Sequence, residues 1–280
     1  MSDTAAIKAK EEKVWASVAR GWRTHDAFIA KATAPVTQRM LQLCGLTPGK
    51  RVLDIAAGTG EPAIPAARMV SPGGSVIATD FVEDMLAVAR EKAARAGVNN
   101  VEFRRVDGEA LDFPDGSFDA ETIRFGIMFM PEPDTCLCEV HRVLRSGGRL
   151  ALATWAAPDK NAWASIAAGI LSKLANAPAP KPGAPGIFAF ADPNRLTIGL
   201  EAAGFRNVKV EPVEVAMADH DSPAEYLALL LDIAGPLAVL WSQLTPEQQD
   251  EARAKISDQI MGNDGRVKMT GLAWVGEGQR

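Results

Sequence analysis

The 280-residue chain has only three cysteines, three histidines and one tyrosine. Three thiols cannot all pair. Cys136 and Cys138 stand two apart in a helical pattern and so point to different sides. Reduced structural thiols in a cytoplasmic protein are expected, not a disulfide framework. His25, His141 and His220 lie far apart and form no metal-ligand spacing, so no metal is expected. Basic charge is also lacking: 30 Lys and Arg face 35 Asp and Glu, for a net charge of -5. That balance argues against a broad nucleic-acid surface, which needs clustered cations. No apolar run approaches the ~18 residues of a membrane span. The longest candidate, 226–241, is broken by Asp232, Gly235 and Pro236. The opening "MSDTAAIKAKEEK" has charges with no apolar stretch behind them. Neither a secretory signal nor stable membrane insertion is therefore expected.

What the chain does have is a regular alternation between 51 and 155. Residues 51–57, 75–80, 100–106, 118–127 and 148–155 read as strands. Between them, Met85, Leu86, Ala89 and Ala93 mark one helical face, and Cys136, Leu137, Val140, Val143 and Leu144 another. Alternating strands and helices predict a doubly wound α/β fold whose ligand sits outside the carboxyl ends of the strands. Residues 1–45 read as an N-terminal helical cap, 46–157 as a binding core, and 158–190 as a helical and Pro-rich insertion. Residues 191–280 complete the core around a helical lid at about 217–265. Ser222-Pro223, Gly235-Pro236 and Thr245-Pro246 each announce a helix start there.

The stretch "VLDIAAGTGEPA" (52–63) places Gly58, Gly60 and Ala63 in a G-x-G-x-x-A spacing, with Asp80 twenty residues after Gly60. That is the pattern of a dinucleotide-binding turn. Its neighbours oppose a pyrophosphate. Pro62 has no N–H to give, Glu61 adds negative charge to the first helical turn, and Asp54 lies at the strand end. Like charges 4 Å apart cost roughly 4 kcal/mol at an effective dielectric of 20. The same acids suit a cationic ligand such as S-adenosylmethionine, with Asp80 accepting from the ribose hydroxyls. A nicotinamide-dependent oxidoreductase and a non-catalytic S-adenosylmethionine-binding regulator stay open as alternatives.

The ordered motifs resemble class I S-adenosylmethionine-dependent methyltransferases, and among them the ubiquinone/menaquinone-biosynthesis type. "VLDIAAGTG", "ATDFVEDML", "VDGEALDFPDGSFD" and "EVHRVLRSGGRL" carry the resemblance. It implies a Rossmann-like seven-stranded sheet, mostly parallel with one antiparallel strand near the C-terminus. It also implies a cofactor site of Asp54, Ala56, Ala57, Gly58, Thr59 and Gly60, then Asp80, Phe81 and Met85. Asp107, Gly108, Glu109 and Ala110 would line the adenine, with Arg124 and Phe125 at the end of the fourth strand. "RFGIMFMPEP" lacks the Asn-Pro-Pro-Tyr type motif of nucleic-acid amino-methylating enzymes. The expected substrate is therefore a small, partly apolar or aromatic molecule, handled by a monomer or homodimer. On its side, Trp22, Trp155 and Phe188 are candidate pocket walls, and His25 is a candidate base.

Overall fold

The computed structural model describes residues 3–179, 181 and 183–280. Pro180 and Pro182 of the expected Pro-rich loop lie outside the described residues. Among those described, seven strands form one sheet. They are β1 (Arg51–Ile55), β2 (Ser75–Asp80), β3 (Val101–Arg105), β4 (Phe118–Arg124), β5 (Leu144–Trp155), β6 (Arg206–His220) and β7 (Val267–Gln279). Their order is β3-β2-β1-β4-β5-β7-β6. The first five are mutually parallel, and β7 runs antiparallel to both β5 and β6. The expected antiparallel strand is thus β7. The chain steps outward from β1 to β3, then returns to β4 on the other side of β1. That reversal opens a crevice beyond the strand ends, where ligands of such sheets bind.

β1 is buried after its first residue because helices cover both faces of the sheet. Helices α3 (Ala63–Val70), α4 (Glu83–Arg95) and α5 (Pro133–Val143) press their apolar stripes onto it. Met85, Leu86, Ala89 and Ala93 of α4 are buried, as are Cys136, Leu137, Val140 and Val143 of α5. Cys136 faces the core and Cys138 faces solvent, as their spacing predicts. β4 stops at Arg124, short of the expected 127, because Phe125 adopts a φ of 58° that leaves the extended region.

Two helices precede the sheet, α1 (Asp3–Thr24) and α2 (Asp26–Leu43). α1 lies against α4, and α2 runs along β5 and β6. After β5 come α6 (Ala162–Leu174) and α7 (Pro193–Ala202). The sequence pattern of a strand spans 206–216, and β6 continues past it to His220. Trp155 pairs with Ala273, while β6 and β7 pair onward to His220 and Val267. The two strands therefore project beyond the sheet as an arm, by roughly 20 Å at ~3.3 Å per residue. Its tip carries α8 (Pro223–Ile233), α9 (Gly235–Ser242) and α10 (Pro246–Ile260). The predicted caps form: the Ser222 hydroxyl accepts from Glu225 N, and Thr245 with Gln248 makes a capping box. No single helix among the described residues is long and apolar enough to cross a membrane.

Candidate functional site

The turn after β1 takes its shape from backbone conformations that few side chains allow. Ala56, Gly58 and Gly60 have φ of 54°, 52° and 97°. At Gly60 a Cβ would lie 2.8 Å from Ile64 Cδ1, so a side chain there would displace the Ile64 tip as well as strain the backbone. At Gly58 a Cβ would meet open space, which leaves the backbone of the turn open to a ligand. Asp80, at the end of β2, closes one side. Its carboxylate accepts from Gly58 N and from Val82 N, each at 2.9 Å. Burial pushes the Asp80 carboxyl up to about 6, against the backbone N–H groups of Val82, Gly58 and Phe81.

Asp54 lies beneath the turn, fully buried. Its Oδ2 accepts from Ala63 N at 3.1 Å and its Oδ1 from Thr122 Oγ1 at 2.7 Å. Burial pushes this carboxyl up to about 7, opposed by the Thr122 hydroxyl, by Arg124 and by the Ala63 N–H. The geometry explains why the dinucleotide pattern misleads. The first N–H of α3, where a pyrophosphate would sit, is already held by a carboxylate. Glu61 turns to Lys92 Nζ (3.2 Å), which also binds Asp26 at 2.7 Å.

The Asp107 segment forms the next wall. Asp107 Oδ1 accepts from Glu109 N at 2.9 Å, and Glu109 Oε1 accepts from Glu132 N at 2.7 Å. A Cβ on Gly108 would lie 2.9 Å from Met130 Cε and 3.0 Å from Ile55 Cγ2, so a larger residue there must shift these side chains at the end of β1. Helix α1 crosses this wall. Lys8 binds Asp107 at 2.5 Å and also pairs with Glu109, while Glu12 pairs with Arg105 at 2.5 Å. Further along α1, Trp15, Ala19 and Trp22 pack with Phe81, Val82 and Met85. Lys8, Glu12 and Trp15 escaped the sequence reading. Their only local signal is an amphipathic helix, and their partners are far away in the chain.

Beyond β4 and β5 the side chains are aromatic. Phe125 stacks on Trp155 with centroids 4.2 Å apart and planes 3° from parallel. Trp155 meets Trp163 edge-on at 4.9 Å, and the Tyr226 hydroxyl donates to the Trp163 carbonyl. Arg124 ends β4 beside them. Its Nη1 donates to Thr33 Oγ1 at 2.6 Å and its Nε to the Glu61 carbonyl at 3.2 Å. Burial lowers its pKa, while Glu61, Asp54 and Asp26 oppose the fall. Trp22 belongs to the α1–α4 cluster, and its indole N–H donates to the Ile233 carbonyl at 2.8 Å. It is not beside Trp155. Phe188 is half-buried on the segment before α7, which Gly186 N ties to the Met128 carbonyl at 2.9 Å. His25 Nε2 lies 2.9 Å from Asp232 Oδ2 of α8. His141 packs edge-on against Phe205 at 5.1 Å, away from these groups.

The turn leaves little room for change. A Cβ on Gly126 would lie 2.3 Å from Cβ of Ala56. Gly126→Ala is expected to destabilise by about 1–3 kcal/mol through overpacking. It should also weaken binding of S-adenosylhomocysteine, because Ala56 shapes the loop. Thermal unfolding and calorimetry check both effects, and unchanged values in each would remove this contact from the site.

Among the described residues no cluster of His, Cys, Asp and Glu could hold a metal ion. The open glycine turn and two strand-end acids, Asp80 and Asp107, fit a ligand with a ribose and a cationic amino acid but no phosphate. Comparisons with known proteins point the same way. The model of the ubiE/COQ5 methyltransferase family matches residues 4–172. The chain is 39% identical over 122 residues to the ubiquinone/menaquinone biosynthesis C-methyltransferase UbiE of Teredinibacter turnerae, covering 43% of this chain and 49% of that one. For the UbiE of Pseudomonas entomophila the values are 42% over 119 residues, 42% and 46%. The chain thus spans about half the length of the curated relatives it matches. Among solved structures, the YcgJ protein from Bacillus subtilis shares the fold at 22% identity and a TM-score of 0.57, covering 87% of this chain and 97% of that one. A SAM-dependent methyltransferase from Aquifex aeolicus aligns at 26% identity and a TM-score of 0.50, over 66% and 87%. With the family model matching more than half of its length, the chain belongs to the ubiE/COQ5 methyltransferase family, whose members are S-adenosylmethionine-dependent methyltransferases.

Proposed function

We propose that this protein transfers a methyl group from S-adenosylmethionine to a small, partly aromatic acceptor held against the Phe125–Trp155 face. One observation carries the reading. The acid-flanked glycine turn and the stacked aromatic pair lie at the same edge of the sheet, joined by β4. When bound, the donor supplies a methyl carbon already activated by its own positive charge. The protein's work is then alignment and exclusion of water, and good alignment can contribute about 7–11 kcal/mol.

In this reading Gly58 and Gly60 let the backbone approach the donor, and Asp80 accepts from its ribose. Asp107 to Ala110, with Phe81 and Met85, surround its adenine. Asp54 braces the turn from below, through Ala63 N and Thr122. Lys8, Trp15 and Trp22 close α1 over that half of the cleft. Phe125, half-buried and backed by the buried Trp155, meets the acceptor in this reading, with Phe188 on a bordering segment. The relatives are named as C-methyltransferases, so ring carbon is the first acceptor position to test.

His25 is the proposed base where the acceptor must lose a proton. Asp232 can take a hydrogen bond from Nε2–H and leave Nδ1 as the basic nitrogen. His25→Asn is expected to lower kcat about 100-fold on such an acceptor and to leave the Kd of S-adenosylhomocysteine unchanged. Methyl transfer from labelled S-adenosylmethionine to a panel of hydroxylated aromatics tests the function as a whole. Failure of the purified protein to bind S-adenosylhomocysteine in calorimetry overturns it.

A further inference from the structure

We infer that His220 is a specificity-determining residue for the acceptor, recognising an oxygen atom on its aromatic ring. The inference rests on the proposed transferase function and adds a residue far from the cofactor turn in sequence. His220 ends β6 on the projecting arm, beyond the residues that the family model matches.

The imidazole sits among rings. Phe28 lies 4.9 Å from it, centroid to centroid, and Tyr226 5.6 Å. Tyr226 is bonded to the Trp163 carbonyl, Trp163 packs on Trp155, and Trp155 stacks on Phe125. A continuous aromatic wall therefore leads from the end of β4 to His220. Helix α2 supplies a ruler along it. Thr33 binds Arg124 at the end of β4 and Phe28 meets His220, five residues earlier. At 1.5 Å per residue that is about 7–8 Å along the helix axis, the span of one substituted ring.

Among these packed rings, Nε2 of His220 is buried and has no hydrogen-bond partner, so an acceptor reaches it only as the arm shifts outward. A buried polar atom left unpaired is costly, and the structure offers it nothing of its own. A ring oxygen of the acceptor would satisfy it, whether as hydroxyl or carbonyl, since a neutral imidazole can accept or donate at Nε2 according to its tautomer. A site built to pair such a group rejects the analogue that lacks it. The titratable groups around the ring are Asp219, Asp221, Glu225 and His25, and Arg266 pairs with both aspartates. Burial lowers the His220 pKa, which keeps the ring neutral for this task.

The test uses an isosteric pair, 4-nitrophenol and 4-nitrotoluene, with S-adenosylhomocysteine present and at a pH where the phenol is un-ionised. Calorimetry on the full chain is expected to show at least a tenfold preference for the phenol. His220→Phe, which keeps a ring between Phe28 and Tyr226, should erase that preference. His220→Gln should restore part of it. Thermal unfolding of each variant confirms the fold. A His220→Phe protein that still prefers the phenol overturns the inference. So does a folded wild-type protein that binds S-adenosylhomocysteine but does not distinguish the two probes. Loss of S-adenosylhomocysteine binding in the wild type would instead overturn the proposed function.

Discussion

Replacing Asp80 by Ala is expected to weaken S-adenosylhomocysteine binding by about 1–3 kcal/mol, the range for losing a hydrogen-bonded charged group. That corresponds to roughly 5- to 150-fold in Kd. Asp80 holds the turn as well as its proposed ligand, because its two oxygens accept from Gly58 N and Val82 N. Asp80→Asn keeps one of these two acceptors and turns an NH2 toward the other backbone N–H, so it should weaken the turn as well as the ligand contact. The pH dependence follows from burial, which holds the Asp80 carboxyl at about 6. The ionised form accepts from ribose hydroxyls. Affinity should therefore rise as pH increases through about 6 and level off above it. Calorimetry across that range checks the slope, and equal affinity of the alanine variant would take Asp80 out of the site. In the unliganded chain the sign is opposite. An acid whose folded pKa exceeds its unfolded value costs stability as pH rises between the two values.

Glu121→Met is expected to stabilise the protein by about 1–3 kcal/mol near pH 8, the cost of an unsatisfied buried polar group. Glu121 lies on β4 with no exposed surface, and both carboxyl oxygens lack a hydrogen-bond partner. Burial holds its pKa well above the ordinary carboxyl value, although the charges of Arg280 and Arg142 oppose the rise. The folded chain therefore keeps a proton here that the unfolded chain releases above the ordinary glutamate value of 4.5. Stability contributed by this proton is present below that value and declines as pH rises. The gain from methionine should be small near pH 4 and grow toward pH 8. Methionine fills a similar volume without a polar group, so no cavity offsets the gain. Chemical denaturation at both pH values measures it. An equal or negative effect at pH 8 would show that the carboxyl has a compensating role.

Much of the core was legible because its information is local. The β-α alternation, the glycine spacing at 58–60 and the strand-end acid Asp80 each follow from a few neighbouring residues. Helix starts in the lid were also readable, since Ser222 and Thr245 cap their own helices three residues on. The ends of β4 and β6 were not. Phe125 departs from the strand through a left-handed backbone that no phenylalanine signals, and β6 lengthens because β7 is there to pair with it.

Sequence by itself determined the sheet, the class of cofactor that the turn can host, and the separation of Cys136 from Cys138. Those features depend on periodicity, on backbone freedom at glycine, and on charge placed a few residues from a helix start. Only the tertiary structure decided that Asp54 braces the turn from below, that Lys8 reaches Asp107 across 99 residues, and that His25 meets Asp232 across 207. It also joined Phe125, Trp155, Trp163, Tyr226 and His220 into one wall. The reason is physical. A periodic pattern states which face of an element is buried, but the partner on the other side is selected by packing among elements far apart in the chain.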